Sequence, residues 1–350
     1  MTDFLFDPAP ADDLQMPEGL SVVVPVYNEA AVVDAFLDRL ERFLLQLDQP
    51  YEILLVNDGS TDATAERLLE QQALRRSLYV IELMRNHGQH NALLAGIRAA
   101  RYRTIVTLDA DLQNPPEEIP KLLAKLNDGC DVVYGTPEHE RHGVLRDLAS
   151  QATKLALQTA MGADTARKVS AFRALRTQVR EAFADYRSPY VNVDVLLTWG
   201  TTRFGAVRVR HESRGGGSSK YSLYALFTHA LNMVTGFSVL PLQLASLIGF
   251  AFTCVGLLVF TYVLVRFVLQ NEAAPGFPFL ASIIAIFSGA QLFALGMIGE
   301  YLARMHFRLM DRPAYTIRNQ KAGRTRVLDM MVFHRDPGGS GSSVVSGTWR

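Results

Sequence analysis

The chain has 350 residues, of which 49% are hydrophobic, and its 35 basic and 35 acidic residues leave no formal net charge. That length suffices for one α/β domain and an accessory part, and the charge balance gives no basis for binding nucleic acid. The two cysteines, Cys130 and Cys254, lie far apart. We therefore expect neither a disulfide framework nor a cysteine-based metal site.

Short β-branched runs alternate with helical stretches from Ser21 onward. The predicted strands are SVVVPV, YEILLVND, SLYVIELM, TIVTLDADLQ and DVVYGT, and Ala- and Leu-rich stretches such as HNALLAGIRAA separate the first four. This alternation predicts βαβ units and an α/β fold with a mostly parallel sheet. Residues 1–20 are acidic and Pro-rich, without the basic start and apolar core of a signal peptide, and are expected to form a flexible leader.

A less regular stretch completes the predicted α/β domain, which covers residues 21–220. Residues 146–161 are predicted as an amphipathic helix, and the basic segment ADTARKVSAFRALRTQVREAF follows. RSPYVNVDVLLTWG could form a helix across the sheet edge, RFGAVRVRHESR a strand, and RGGGSSKYS a Gly-rich loop.

Two long uncharged apolar runs stand near the C-terminus, at residues 244–265 and 279–299. At about 1.5 Å per residue, each can cross a hydrocarbon core of roughly 30 Å. The alternative is a pair of buried core helices, but two such runs in succession are rare in soluble proteins. We therefore predict a membrane hairpin joined by RFVLQNEAAPGFP. Gly256, Gly289 and Gly296 could mediate packing within one chain or between chains of a homo-oligomer.

The basic residues around the hairpin predict its orientation. They are Arg208, Arg210, Arg214 and Lys220 before the hairpin and Arg304, Arg308 and Arg312 after it, whereas the connecting loop carries Arg266 against Glu272. By the positive-inside rule, the α/β domain and both termini are cytoplasmic. Residues 221–243 form either an interfacial segment or an ordinary core helix, and residues 300–350 a tail with a disordered end.

Two carboxylates follow the apolar run TIVTL. Asp109 and Asp111 stand two residues apart, and the period of a strand would point both at one divalent cation. Hard oxygen ligands suit Mg²⁺ or Mn²⁺, and Gln113 extends the polar set. Because acidic pairs are common in turns, this interpretation depends on the neighbouring motifs.

Two of those motifs, VVVPVYNEA and LLVNDGSTDAT, are strands that run into polar turns. For Pro25, Tyr27, Glu29 and Asp58 we predict a nucleotide pocket, because an aromatic face and carboxylates at adjacent strand ends could stack on and hydrogen-bond a base. For residues 60–62 we prefer structural roles in a turn and a helix cap. Neither GxGxxG nor GxxxxGKS accompanies them, which argues against a dinucleotide oxidoreductase or a P-loop enzyme.

Taken together, VVVPVYNEA, VNDGSTDAT, RNHGQHNALLAGI and LDADLQNPPEEIPKL resemble glycosyltransferase family 2, whose members have the GT-A fold. RGGGSSKYS, the two apolar runs and RPAYTIRN are similar to the branch that contains dolichyl-phosphate mannose synthases and bacterial undecaprenyl-phosphate glycosyltransferases. The resemblance extends in order from Ser21 to Asn319. It implies a nucleotide-sugar donor, a polyprenyl phosphate acceptor and a bacterial inner membrane.

The resemblance also implies roles for individual residues. Pro25, Tyr27, Glu29 and Asp58 would contact the nucleotide, Asp109, Asp111 and Gln113 the metal and diphosphate, and Arg214 with Ser219 the donor and acceptor phosphates, with Lys220 as a helper. A basic loop beside a membrane fits a lipid phosphate on physical grounds as well. The alternative interpretation is a solvated flexible loop that contacts no phosphate. This alternative applies more to Lys220 than to Arg214.

The chain departs from the family's usual pattern in two places. ARKVSAFR carries Arg167 and Lys168 where many relatives have an acidic or Gly-rich stretch, and YGTPEHERHGVLR has Glu138 where relatives tend to have a basic residue. Arg141 and Arg146 remain candidates for phosphate contact. Since both departures bear on specificity, the sugar, the nucleotide base and the polyprenol length stay open.

The implied reaction is a single displacement with inversion, in which an acceptor phosphate oxygen attacks the anomeric carbon. A phosphate monoester is already ionised near neutral pH, so we assign no general base. Two alternatives stay open. One is a non-catalytic membrane scaffold or carrier subunit built on a nucleotide-binding domain. The other is a processive polysaccharide synthase, although Q-x-x-R-W is missing from the sequence.

Overall fold

The computed structural model describes residues 16–137, 168–212, 240–270, 277–310 and 312–319. In chain order its elements are β1 (Leu20–Val26), α1 (Val33–Leu44), β2 (Tyr51–Asn57), α2 (Thr64–Leu74), β3 (Leu78–Leu83), α3 (Gln89–Ala99), β4 (Thr104–Thr107), α4 (Ile119–Asn127), β5 (Val132–Pro137), β6 (Arg173–Arg176), α5 (Val193–Gly200), β7 (Phe204–Val209), α6 (Leu240–Gln270), α7 (Phe277–Leu309) and β8 (Ile317–Asn319). Short 3₁₀ turns precede α4 and follow β6. The chain forms two compact units, one of residues 1–105 with 315–350 and the other of residues 106–314.

The first unit alternates strands and helices as the sequence predicts. Its strand order is β4-β1-β2-β3-β8, and β1, β2 and β3 are parallel, with Val24 opposite Leu55 and Leu55 opposite Val80. The runs at residues 22–24 and 53–56 are buried throughout. Strands of a parallel sheet are covered on both faces and are therefore continuously apolar, so these runs confirm the predicted α/β class.

The last strand of the first unit, β8, follows the two long helices in the chain. It pairs antiparallel with β3, and beside this pairing the Met84 N–H donates to the carbonyl oxygen of Thr316 at 2.8 Å. Tyr315 and Ile317 pack against a buried cluster formed by β2, β3 and α3. The sequence analysis placed RPAYTIRN in the tail, whereas the structure makes it an edge strand of the sheet.

In the second unit, β5 pairs in parallel with β7 and antiparallel with β6. Arg173 of β6 is buried and forms an ion pair with buried Asp194 of α5, to which the Tyr134 hydroxyl also donates at 3.1 Å. Burial and the Asp194 carboxylate raise the pKa of Tyr134. Part of the stretch ARKVSAFRALR, which the sequence analysis left without a predicted element, thus supplies a strand that pairs with β5.

The two long helices extend beyond the apolar runs that predicted them. α6 continues to Gln270 and α7 begins at Phe277, so part of the predicted connecting loop is helical, and α7 continues past Gly299 to Leu309. Each contains a window long and apolar enough to span a membrane, Ala245–Tyr262 with mean hydropathy 1.9 and Ile286–Ala303 with 1.3. At most 6% of either window is buried. The predicted helix at 146–161, the segment 221–243 and the end of the tail lie outside the described residues.

The three glycines predicted to mediate packing have different surroundings. A Cβ atom on Gly256 would lie 2.8 Å from the ring of Phe287, so Gly256 permits a close contact between α6 and α7. Phe252 and Phe287 meet edge to face beside it, with ring centroids 5.9 Å apart. A Cβ atom on Gly289 or Gly296 would meet no described atom within 4 Å. Among the described residues, packing within one chain is therefore found at Gly256 and not at Gly289 or Gly296.

We predict that Gly256→Leu loosens the hairpin and that Gly289→Leu does not. The leucine at 256 must displace the Phe287 ring, and such overpacking costs about 1–3 kcal/mol. Thermal unfolding of the full chain in detergent should show a lower midpoint for Gly256→Leu only. Equal midpoints for the two variants would contradict the packing described here.

Candidate functional site

The turn after β1 is joined to the turn after β2 by side-chain hydrogen bonds. Asn28 has a left-handed backbone, with φ of 55°, which asparagine tolerates better than most residues. Its side-chain oxygen accepts from the N–H of Thr61 at 2.8 Å, and its own N–H donates to the Ser60 hydroxyl at 3.0 Å. These bonds give Ser60 and Thr61 the structural roles that the sequence analysis preferred.

Asp62 supports the start of α2 and the neighbouring loop. Its carboxylate accepts from the Thr64 N–H at 3.0 Å, and the Thr64 hydroxyl in turn accepts from the Glu29 N–H at 3.0 Å. Burial raises the pKa of Asp62, but hydrogen bonds from Thr64 and Ala30 lower it by more, so the pKa lies below its ordinary value. The backbone of Glu29, a predicted nucleotide contact, is therefore fixed by α2.

Asp58 has an intramolecular role that the sequence analysis did not predict. Its carboxylate oxygens accept from the backbone N–H groups of His87 at 2.7 Å and Gly88 at 2.8 Å, and the residue is 3% exposed. Burial raises the pKa of Asp58 despite these bonds. The next residue, Gly59, has φ of +66°, and a Cβ atom there would lie 2.4 Å from the backbone of Arg85. The turn after β2 is thus closely fitted to the loop between β3 and α3.

His87 is a polar residue of this edge to which the sequence analysis gave no role. Its Nε2 atom is buried and has no hydrogen-bond partner among the described residues. Burial and the nearby Arg85 lower the pKa of His87, which favours the neutral imidazole. The signal in the sequence was RNHG, one of the motifs of the resemblance. A neutral Nε2 can accept or donate one hydrogen bond to a ligand.

The other predicted nucleotide contacts lie at the end of β1. Tyr27 is 44% exposed, and Pro25 and Glu29 are partly exposed. Ligands of open α/β sheets bind beyond the carboxyl ends of the parallel strands. The exposed ring of Tyr27 lies at such an end. Tyr27 is therefore accessible to a ligand. Both oxygens of the Asp58 carboxylate are instead hydrogen-bonded to the backbone N–H groups of His87 and Gly88.

The acidic loop, residues 109–113, belongs to the second unit. The sequence analysis placed Asp109 and Asp111 at the end of a strand, but β4 already ends at Thr107, so the period-two argument does not apply to them. The loop turns at Leu112, whose φ is 60°, and the Asp111 carboxylate accepts from the Gln113 N–H at 3.1 Å. A turn, not an extended strand, therefore sets the directions of the two carboxylates.

The donor set of the acidic loop fits a hard divalent cation in part. Asp109 and Asp111 are partly exposed, and carboxylate oxygens are the ligands that Mg²⁺ and Mn²⁺ prefer. Among the described residues, no three His, Cys, Asp or Glu side chains are grouped to hold a metal ion. A cation held here would need further oxygens, for which the phosphates of a ligand are the usual source.

The acidic loop is attached to the segment that follows β7. The Glu212 N–H donates to the carbonyl oxygen of Gln113 at 2.9 Å, and Arg210 forms an ion pair with Glu118 at 2.8 Å. Burial raises the pKa of Glu118, but hydrogen bonds from Lys121 and Arg210 lower it by more. The remaining predicted site residues, Arg141, Arg146, Arg214, Ser219 and Lys220, lie outside the described residues.

Residues 21–185 match the family described as Glycosyl transferase family 2. The match contains the strand-end turns, the RNHG loop and the acidic loop. Together with a sheet that is mostly parallel and has one antiparallel strand in each unit, it defines a GT-A glycosyltransferase domain. The predicted fold class is thereby confirmed.

Longer matches are found with bacterial transferases. The undecaprenyl-phosphate 4-deoxy-4-formamido-L-arabinose transferase of Yersinia enterocolitica is 36% identical over 302 residues, which cover 85% of this chain and 92% of that protein. The enzyme of the same name from Pseudomonas paraeruginosa is 37% identical over 302 residues, covering 85% and 89%. At this identity and coverage, the chain belongs to glycosyl transferase family 2 together with these transferases.

Solved structures show a more distant similarity. Glucosyl-3-phosphoglycerate synthase from Mycobacterium tuberculosis, in complex with Mn²⁺ and uridine-diphosphate-glucose, is 19% identical with a TM-score of 0.46, over 62% of this chain and 77% of that one. Mannosyl-3-phosphoglycerate synthase from Rubrobacter xylanophilus is 17% identical with the same TM-score, over 62% and 72%. Similarity at this level carries no information about ligands.

We predict that Asp58→Asn destabilises the protein without any ligand, whereas Tyr27→Ala does not. The side-chain NH₂ group of asparagine would face one of the two backbone N–H groups that now donate to Asp58, and that N–H group would lose its acceptor. A buried polar group without a hydrogen-bond partner costs about 1–3 kcal/mol. Tyr27 is exposed, so its removal should leave the unfolding midpoint unchanged. Denaturant unfolding of both variants without nucleotide checks this, and an unchanged midpoint for Asp58→Asn would contradict it.

Proposed function

We propose that the chain transfers a sugar from a nucleotide-sugar donor to the phosphate of a polyprenyl lipid at a membrane surface. The observation that carries this proposal is the 302-residue match to undecaprenyl-phosphate sugar transferases, which extends well beyond the family domain at residues 21–185. If the similarity were limited to a nucleotide-binding domain, the match would cover only the region of residues 21–185. A match that covers 85% of the chain must include α6 and most of α7.

The exposure of α6 and α7 supports a membrane protein. The core helix of a soluble protein is mostly buried, but the spanning windows of these helices are 6% and 0% buried. Large apolar side chains such as Phe250, Phe260 and Phe293 are more than half exposed. Exposing so much apolar surface to water is unfavourable, and a bilayer removes the penalty.

The pairing of β8 supports a hairpin with both ends on one side of the membrane. β8 follows α7 in the chain and pairs with β3, which precedes α6. A strand can reach that position only if the chain crosses the membrane an even number of times. The basic residues on either side of the hairpin favour the cytoplasmic side, so we assign the sheet and both termini to the cytoplasm.

The reaction we propose is a single displacement with inversion. An acceptor phosphate oxygen forms a bond to the anomeric carbon, the bond from that carbon to the donor diphosphate breaks, and the nucleoside diphosphate leaves with the electron pair. Mg²⁺ or Mn²⁺, when bound, would neutralise charge on the leaving diphosphate. Asp109 and Asp111 would hold the cation with Gln113, and Arg214 would hold the acceptor phosphate.

The first unit would bind the nucleotide. Tyr27 is exposed and can stack on a base, with Pro25 and Glu29 beside it. Asp58 would act through the backbone of the loop at His87 and Gly88, to which both its oxygens are bonded. The unpartnered Nε2 atom of His87 would add a polar contact.

We predict that Asp111→Ala abolishes sugar transfer and that Asp128→Ala leaves it unchanged. Loss of a carboxylate that holds the diphosphate through a cation should lower kcat by about a hundredfold or more, whereas Asp128 is exposed and paired only loosely with Lys125 at 3.5 Å. The measurement is formation of glycolipid from undecaprenyl phosphate. The donors to be compared are nucleotide-linked 4-deoxy-4-formamido-L-arabinose, UDP-glucose and GDP-mannose, with Mg²⁺, Mn²⁺ or a chelator.

A product from one donor, lost with the chelator and in Asp111→Ala, would support the proposal and identify the sugar. If no donor gives a product although the protein still binds nucleotide, the result would favour a non-catalytic scaffold. A product that grows into a polymer would favour a processive synthase.

A further inference from the structure

The RNHG loop, residues 85–88, connects β3 to α3 and is attached to the first unit at both of its ends. At its C-terminal end, the backbone N–H groups of His87 and Gly88 donate to the two carboxylate oxygens of Asp58 at 2.7 and 2.8 Å. Asp58 follows β2, so this end of the loop is fixed to the turn of a neighbouring strand. The attachment at the other end involves Arg318, a residue of β8 that lies 234 positions after the residue it binds.

Met84, the residue before the RNHG loop, is bound through both of its backbone groups. Its N–H donates to the carbonyl oxygen of Thr316 at 2.8 Å, and its carbonyl oxygen accepts from Nη2 of Arg318 at 3.1 Å. Nη1 of the same guanidinium donates to Oε1 of Glu82 at 3.1 Å. Arg318 therefore connects a side chain of β3 to the start of the loop. All these residues belong to the first unit.

An irregularity in β8 explains how one side chain reaches these two acceptors. Glu82 lies opposite Asn319, whereas the next residue of β3, Leu83, lies opposite Ile317. Arg318 lies between these two pairs, as the extra residue of a β-bulge. Bulges re-aim a side chain at the edge of a sheet. The guanidinium also carries its donors in a rigid fork, so it can bind a carboxylate and a carbonyl oxygen at the same time.

Apolar packing holds the segment around Arg318 in place. Tyr315 and Ile317 pack against the buried cluster formed by β2, β3 and α3, and the guanidinium of Arg98 lies 5.9 Å from the centroid of the Tyr315 ring. Arg318 itself remains at the surface, with 53% of its side chain exposed. The backbone of β8 is thus anchored to the core, while the arginine is free of core packing and available to bind the loop.

We propose that Arg318 is a positioning residue for the donor nucleotide, because it holds the start of the RNHG loop while Asp58 holds the end. This inference rests on the proposed function, since it takes the RNHG loop as part of the nucleotide site. Arg318 acts through the backbone of Met84 and does not touch the substrate. A loop held at both ends has little conformational freedom left to lose on binding. A loop held at one end would adopt the binding conformation for only part of the time, and the apparent affinity falls by that fraction.

Arg103 offers a matched control in the same unit. Its side chain is 53% exposed, as is that of Arg318, and each of the two arginines forms an ion pair with a glutamate. The Arg103 N–H donates to the carbonyl oxygen of Pro17, ahead of β1, so Arg103 lies near the amino end of that strand. The RNHG loop instead follows the carboxyl end of β3. Exposed ion pairs contribute little to stability, so both alanine variants should fold.

Calorimetric titration of the full chain in detergent with UDP and with GDP, in the presence of Mg²⁺, tests the proposal. For Arg318→Ala we expect the Kd of the nucleotide that the wild type binds to rise by about three- to tenfold. The KM for undecaprenyl phosphate should stay within about twofold of the wild-type value. Arg318→Lys should restore part of the loss, because lysine keeps the charge but lacks the fork that reaches two acceptors. Arg103→Ala should match the wild type.

Three results would overturn the proposal. They are an unchanged Kd in Arg318→Ala, an equal rise of the Kd in Arg103→Ala, and a rise in the KM for undecaprenyl phosphate as large as the rise in the Kd. The last two would indicate a general loss of structure instead of an effect on the nucleotide site.

Hydrogen–deuterium exchange without nucleotide distinguishes positioning from direct contact. A peptide covering residues 84–92 should exchange faster in Arg318→Ala than in the wild type or in Arg103→Ala, because the start of the loop has lost an attachment. A raised Kd with unchanged exchange would mean that Arg318 touches the nucleotide, which would refute its positioning role.

The same measurements separate this inference from the proposed function. Sugar transfer by the wild type, with a nucleotide Kd that Arg318→Ala leaves unchanged, would refute the inference and retain the function. A wild type that binds neither UDP nor GDP and transfers no sugar would refute the function and, with it, the role of Arg318 in nucleotide binding.

Discussion

The parallel pairing of β1, β2 and β3 is the constraint on which the first unit depends. In this register the three strands end at the same edge of the sheet, so turns that are distant in sequence become neighbours. Asn28 can then bond to Thr61, and Asp58 to the backbone at His87. Each bond joins loops that follow different strands, so the edge is cross-linked by side chains. A ligand at this edge meets a surface whose shape is set before binding.

The elements of this sheet could be predicted because their signal is local. A buried parallel strand needs a continuous apolar run, and the runs at 22–24 and 53–56 provide one. The strands β6 and β8 could not be predicted in the same way. They have four and three residues, and β8 pairs with a strand more than 230 residues earlier, as the 236-residue separation of the Arg318–Glu82 hydrogen bond shows. Nothing within so short a segment specifies a partner that far away.

For the candidate site, the identity of the functional residues stays a prediction from the sequence, and their geometry could not be predicted from it. The sequence marks Asp109 and Asp111 as a carboxylate pair, but the end of β4 at Thr107 and the left-handed Leu112 are decided by local backbone energetics that the D-x-D pattern does not encode. Asp58 is a comparable case. Its position after a strand predicts a ligand contact, yet the oxygens are taken by a loop that only the folded sheet brings near.

The position of β8 links protein synthesis to folding. A ribosome makes β3 early and β8 only after both apolar helices have been translated, so the outer edge of β3 has no partner during most of synthesis. An unpaired strand edge is a template for aggregation, and contacts between distant segments form slowly. A chain truncated before Ile317 would therefore keep the outer edge of β3 unpaired.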